Sequence, residues 1–321
     1  MIKLFPSVKR YNWGMASYLS IGSGFIETTE DENDIIAEVW WGSHPNGPTR
    51  TETGGYLENI PFLLKILSVA TPLSIQVHPT KEQIFSSPLD FQDPFPKPEI
   101  AIALTRFGAL CGFLPPKEIS YNLSLFPELS SGLTFKEALA TPVETIRSIT
   151  KRIVEIDEYP FNIVSMLSIH YPDDPAVLSP LFMNYVELDA YQALVIPASV
   201  PHCYLFGQAV ECMAPSDNVV RGGLTPKYRD LDLFFKISQK EPYTPIILED
   251  DYNHPIFTDY FNITEVYTND SVKCKENSIV LILNDTGTIN GEPTKKGDSW
   301  LSTSTGDVRF TNVYAIIAQP T

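Results

Sequence analysis

The chain is short of positive charge, of paired cysteines and of long apolar runs, and each shortage removes a class of function. Against 39 acidic residues stand 23 lysines and arginines, a formal net charge of −16, so the basic surface that displaces counterions from nucleic-acid phosphates is missing. A small anion is a different matter, because a few cations gathered in one cleft bind a phosphate whatever the total charge. The four cysteines, Cys111, Cys203, Cys212 and Cys274, form no CxxC pair and lie in apolar surroundings, which fits reduced, buried thiols better than a disulfide frame. No segment approaches the roughly 20-residue apolar span of a membrane helix. The first residues lack the apolar stretch and small-residue cleavage site of a secretory signal. A soluble cytoplasmic protein with no nucleic-acid or membrane partner is the expectation.

With 321 residues, 43% of them apolar and 19% charged, the chain has material for about two domains of roughly 150 residues each. Short β-type runs recur: "AEVWWGS", "LSIQVH", "EIAIAL", "ALVIP", "QAVECMA", "SIVLILN" and "VYAIIA". Such runs, broken by turn residues, predict an antiparallel sandwich or barrel. Between Pro115 and about Asp173 the texture changes. Phe135, Ala138, Leu139, Val143, Ile146, Ile149 and Ile153 follow three- and four-residue spacing, interrupted at Pro142, an amphipathic helical pattern. The expected organisation is a β-domain from 1–115 and 176–240, a mostly helical insert over 116–175, and a C-terminal β-domain over 241–321. In that last part "NDTGT" and "INGEP" are turn signals, the Asn-Gly pair being a strong hairpin cue.

Histidine is scarce as well: only His44, His78, His170, His202 and His254 occur. If "LSIQVH" is a strand, successive side chains alternate between faces, so Ser74, Gln76 and His78 share one face while Leu73, Ile75 and Val77 share the other. His202 closes "ALVIPASVPH", where a buried strand turns through two prolines. Glu99, at the entry to the apolar run "EIAIAL", must be paired or bound to a cation to avoid a large desolvation cost. Two imidazoles and a carboxylate suit a divalent transition metal, with zinc the leading candidate. Gln76 could add a neutral oxygen and leave a position open for water or substrate. A satisfied core histidine is the plainer alternative for either imidazole.

Around His202 further chemistry gathers. Tyr204, Glu211, Arg221 and Lys227 all follow it closely, with Glu211 interrupting the apolar "AVECMA", a costly place for a carboxylate without a partner or a task. The pair of glycines after Arg221 could let backbone approach a ligand, or Arg221 and Glu211 could form a structural ion pair. Lys65, within the apolar "PFLLKIL", requires an anion nearby.

Five stretches in order, "YNWG" at 11–14, "AEVWWGSHPNGP" at 37–48, "PFLLKILSVATPLSIQVHPTK" at 61–81, "KPEIAIALTRFGALCGF" at 97–113 and "ECMAPSDNVVRGGLTPKYRDL" at 211–231, together resemble the type I mannose-6-phosphate isomerases, the zinc-dependent phosphomannose isomerases. The resemblance implies a mainly β fold of cupin jelly-roll domains with a helical insert. It implies one zinc ion held by Gln76, His78, Glu99 and His202, and a sugar-phosphate pocket that includes Trp13, Lys65, Ser74, Tyr204, Glu211, Arg221 and Lys227. It also implies interconversion of mannose 6-phosphate and fructose 6-phosphate through a cis-enediol, supplying mannose 6-phosphate for glycan precursors. Such a reaction needs a base, for which Glu211 is the first choice, and a stabiliser of the developing anion, for which Arg221 is. Ser74, Lys65 and Lys227 are then assigned to the phosphate and sugar hydroxyls. A monomer is the expected state, with an oligomer left open.

Two rivals remain at this stage. A non-haem iron oxygenase could use His78, Glu99 and His202 as a 2-His-1-carboxylate triad, although Gln76 and the lysine and arginine set argue against it. A non-catalytic sugar-binding cupin would keep the barrel and lose the ligands.

Overall fold

The computed structural model describes residues 1–26, 31, 33–249 and 256–321; His254 lies outside them. Antiparallel sheets dominate, as the short β runs require. An 11-stranded curled sheet holds Ser7–Lys9, Glu38–Trp41, Leu63–Val69, Ile75–Val77, Glu99–Ala103, Phe107–Phe113, Met183–Leu188, Ala193–Ile196, His202–Met213, Val220–Gly223 and Ile246–Leu248. Its organiser is the strand His202–Met213. The first half pairs with Phe107–Phe113 and Ile75–Val77, and the second half with Leu63–Val69 and Glu99–Ala103, so one strand joins the two walls of a barrel.

That strand changes face midway. A register shift separates Phe206 from Tyr204, and Gly207 sits at φ +102 where an added Cβ would lie 2.3 Å from the Arg106 carbonyl oxygen. One extra residue in a bulge reverses the alternation. Tyr204 before the bend and Ala209 after it therefore enter the same barrel interior, with Leu67, Ala101, Ala103 and Leu194. Cys203 and Leu205 face the helices, and Val210 and Cys212 face the C-terminal sheet. The sequence shows only "QAVECMA" as a strand; the single 12-residue element results from pairing on both walls.

Helices Pro116–Ser124, Phe135–Ala138, Val143–Ile153 and Phe161–His170 lie between Pro115 and Asp173, and the three- and four-residue spacing from Phe135 to Ile153 covers the second and third. Thr134 and Glu137 form a capping box at one start, and Pro142 is the N-cap of the next helix, a position where its missing N–H costs nothing. The buried faces, including Phe135, Ile146, Ile149, Ile153 and Leu167, pack on Ile75, Val77, Leu110 and Phe234. Ile75 and Val77 thus anchor their strand to the helices, leaving the alternate face to the barrel. The strand begins only at Ile75, and Leu73 packs in the barrel interior with Tyr204 and Trp13; the expected alternation does not reach it.

The last strands form a second sheet ordered Ile256–Phe257, Phe261–Cys274, Gly306–Pro320, Ile279–Ile282, Ser299–Leu301, Ile2–Phe5, Arg50–Thr51. Asn290 and Gly291, both at positive φ, turn the hairpin that pairs Gly287–Ile289 with Glu292–Thr294, as the Asn-Gly signal predicts. Strand Ile2–Phe5 pairs with Ser299–Leu301, so the extreme N-terminus is built into the C-terminal sheet. Leu64, Ile66, Ile100 and Ile102 share a core with Phe261, Ile263, Leu281 and Ile316, which fastens this sheet to the outside of the barrel. All four cysteines are free and buried. No helix among the described residues is long and apolar enough to cross a membrane.

Candidate metal centre

Three inward-facing rows of the barrel are apolar at one end and polar at the other. Ala103 and Ala101 lead to Glu99, Val69 and Leu67 lead to Lys65, and Ala209 leads to Glu211. At this polar end His78, Glu99 and His202 meet, all buried, with one ligand atom from each lying within 4.8 Å of the others. Glu99 Oε1 is 3.3 Å from His78 Nε2, and Glu99 Oε2 is 3.1 Å from His202 Nε2. His202 begins its strand rather than ending the preceding one.

The hydrogen bonds on the far side of each ring decide what these atoms can do. His78 Nδ1 donates to the Asn218 carbonyl at 2.7 Å, and His202 Nδ1 donates to the Val200 carbonyl at 2.9 Å. With Nδ1 carrying the proton, a neutral imidazole presents only a lone pair at Nε2. Burial, helped by the Lys97 cation and opposed by Glu99, lowers the His78 pKa from 6.5 to about 4, which keeps it neutral. Burial disfavours the Glu99 anion, but the Lys97 cation outweighs it and holds the carboxyl well below its usual range. Both Nε2 atoms and Glu99 Oε2 are buried without a hydrogen bond among the described residues. Lone pairs turned on one another in a dry site are costly unless a cation lies between them. The donor set, two imidazoles and one carboxylate, fits zinc.

This arrangement carries its own pH signature in the metal-free protein. Between pH 6.5 and about 4 the unfolded chain takes up a proton on residue 78 that the folded chain refuses. The His78 contribution to stability is therefore complete above 6.5 and is lost as the pH falls through that window. The melting temperature of metal-free protein should drop there, and His78→Gln should flatten the drop. Identical profiles for the two proteins would contradict the assignment.

Gln76 stands opposite His202 on one neighbouring strand and opposite Arg221 on the other, so the three side chains lie in a row on one face. Its amide makes no hydrogen bond among the described residues. Arg221 is half-buried; burial alone draws its pKa down, and its guanidinium has no hydrogen bond or ion pair among the described residues. The alternative of an Arg221–Glu211 ion pair is therefore wrong. Glu211 pairs with Lys65, directly across the strands, at 2.8 Å. Lys65 also lies 3.6 Å from Glu38 and over the Trp40 ring. Burial opposes its charge, yet Glu211 and Glu38 raise its pKa and keep it an ammonium.

Tyr204 is buried with its hydroxyl unbonded, and burial plus the Glu211 and Glu99 charges push its pKa well up, which makes it a neutral donor. Trp13 is half-buried, stacks with Tyr11 at 5.9 Å and packs on the barrel core. Ser74 is half-buried, one residue ahead of the strand that carries Gln76. Lys227 is on an exposed turn, its ammonium unpaired among the described residues. Cβ atoms at Gly222 and Gly223 would lie 2.7 Å from Phe234 and 2.2 Å from Ala176, so these glycines let a helix and a turn pack closely.

Sequence reasoning passed over four members of this end of the barrel. Lys97 is 2.8 Å from Glu99, Glu38 shares Lys65, Trp40 donates to Glu38, and the Tyr11 phenol, raised mainly by burial, senses Glu38 and Lys65. Lys97 precedes Glu99 by two positions and Glu38 precedes Trp40 by two, the same-face spacing of an extended chain.

Comparisons with known proteins agree with this geometry. The family described as phosphomannose isomerase type I, catalytic domain, matches residues 51–116. A probable mannose-6-phosphate isomerase of Caenorhabditis elegans is 35% identical over 293 residues, covering 72% of this chain and 69% of that one. The mannose-6-phosphate isomerase of Schizosaccharomyces pombe is 33% identical, covering 72% of each. A crystal structure of mannose 6-phosphate isomerase bound with zinc and yttrium superposes with a TM-score of 0.81 at 25% identity, over 99% of this chain and 98% of the other.

Proposed function

The chain belongs to the type I phosphomannose isomerase family, and from that premise we infer how its residues divide the work of a zinc-dependent mannose 6-phosphate to fructose 6-phosphate isomerase. The observation that carries the reading is the meeting of three buried ligand atoms with a guanidinium that stands across Gln76 from His202, all without a hydrogen-bond partner among the described residues. His78, Glu99 and His202 would hold the metal, with Gln76 offering its amide oxygen from the same face. When bound, zinc supplies Lewis acidity toward the sugar oxygens with no redox step.

The remaining roles fall to the side chains around it. Moving a proton between C2 and C1 needs a base, and Glu211 is our choice, its Oε2 fixed by the Lys65 ammonium at 2.8 Å. Arg221 faces the anion that develops as the proton leaves, since a half-buried cation with no partner of its own is free to take one from the substrate. Tyr204 offers a neutral hydroxyl to a sugar oxygen. Trp13 walls the pocket, while Ser74 and Lys227 are assigned to the phosphate and sugar hydroxyls. Lys65, engaged by two carboxylates, acts on Glu211 before it acts on phosphate.

All ligands of the proposed centre come from one chain, which supports a monomer. The substrate is a dianion that membranes retain, which supports a cytoplasmic location. The test is a coupled assay on mannose 6-phosphate before and after exhaustive chelation. Activity is expected to vanish with the metal and to return with zinc. Full turnover by metal-free protein would sink the reading, and oxygen uptake restored by ferrous iron would favour the oxygenase.

A further inference from the structure

Two loops that carry no ligand of the metal centre are locked together directly behind it. The Asp93 carboxylate accepts from Ser216 Oγ at 2.9 Å, Asp217 N at 2.8 Å, Asn218 Nδ2 at 3.2 Å and Phe95 N at 2.9 Å. In return Asn218 Oδ1 accepts from Gln92 N at 2.8 Å, and Asn218 Nδ2 donates to the carbonyls of Asp93 at 2.8 Å and Phe95 at 2.9 Å. Ser216 and Asn218 are buried, so each of these bonds shields a group that would otherwise be stranded without water.

This clasp sits at a junction of three site elements. The Asn218 carbonyl receives the proton of His78 Nδ1. Asn218 is two residues before Val220–Gly223, the strand of Arg221, and the Gln92–Phe95 segment runs through Lys97 into Glu99–Ala103. We propose that Asp93 and Asn218 are positioning residues of the metal centre, whose mutual hydrogen bonds fix the Asn218 carbonyl and through it the tautomer and aim of His78. Releasing the clasp frees that carbonyl to move, and the His78 ring loses the acceptor that commits its Nε2 lone pair to the centre. The partners behind a ligating histidine typically govern about 10–100-fold in metal affinity. The acceptor behind His78 is a loop carbonyl, as is the Val200 carbonyl behind His202, and a loop needs such a lock to be rigid.

The proposal rests on the metal reading above, and zinc affinity separates the two. The full chain and the variants Asp93→Ala, Asn218→Ala and the double variant are titrated with zinc against a chromophoric chelator, with metal-free melting temperature measured beside it. Each single variant should bind zinc about 10–100-fold more weakly, and the double variant little worse than the weaker single, because both act through one carbonyl. Variants that melt lower yet bind zinc as tightly as the parent would reduce the clasp to a loop staple and overturn the proposal. Should the truncations fail to fold, Ser216→Ala, which removes one hydroxyl, must still weaken zinc binding; unchanged affinity there overturns it equally. A parent chain that takes up no zinc in the same titration overturns the metal reading and the clasp with it.

Discussion

Glu99→Gln is expected to leave the protein unable to hold zinc at stoichiometric concentration and to bring mannose 6-phosphate turnover to background. The carboxylate is the only anionic member of the His78, Glu99 and His202 set, and it lies 2.8 Å from the buried Lys97 ammonium. An amide of the same shape keeps the volume and removes the charge, so the divalent cation loses the one ligand that neutralises it. The same change strands Lys97. Breaking a buried pair by removing one partner costs about 3–5 kcal/mol, so the variant should also melt lower. Glu99→Gln with Lys97→Met should recover much of that stability without recovering zinc, which separates the ion pair from the metal role. Metal analysis and melting curves on both proteins decide it: retention of one zinc per chain in Glu99→Gln would remove Glu99 from the ligand set.

Arg221→Ala should lower kcat by about 10²–10³, the range found when a preorganised donor to a developing anion is removed. Zinc content should stay that of the parent. The reasoning is the isolation of the guanidinium. Every other buried cation at this end of the barrel is neutralised by the protein, Lys65 by Glu211 and Glu38 and Lys97 by Glu99. Arg221 alone among them lies half-buried with no anion beside it among the described residues, which on the proposed reading leaves it for the substrate. If the loss appeared wholly in KM with kcat unchanged, the residue would bind ground state and transition state alike, and its role as anion stabiliser would fail. Arg221→Lys should not rescue fully, because a point charge cannot reproduce the planar fork.

Much of this site is legible from composition and spacing. Gln76 and His78 announce themselves by two-residue alternation beside Ile75 and Val77, and Glu99 by the cost of a carboxylate at the mouth of an apolar strand. The helices Phe135–Ala138 and Val143–Ile153 follow from three- and four-residue spacing, because local geometry sets that period whatever the neighbours are. The Asn290–Gly291 hairpin is equally local. These readings concern residues close in sequence, where side-chain direction follows from φ and ψ alone.

Pairings across long separations are a different matter. Lys65 and Glu211 stand 146 positions apart and face each other only because their strands adopt one register. The bulge at Gly207 puts Tyr204 and Glu211 into one interior despite opposite parity, a reversal that no periodic reading of the strand predicts. The clasp of Asp93 with Ser216 and Asn218 joins two loops 123 and 125 positions apart in the chain. The sequence by itself determined which residue types must work here and the mainly β frame that carries them. Tertiary structure decided which cation is neutralised and which is left without a partner among the described residues, because register and strand curvature are set by packing the whole barrel, and neighbouring residues do not encode it.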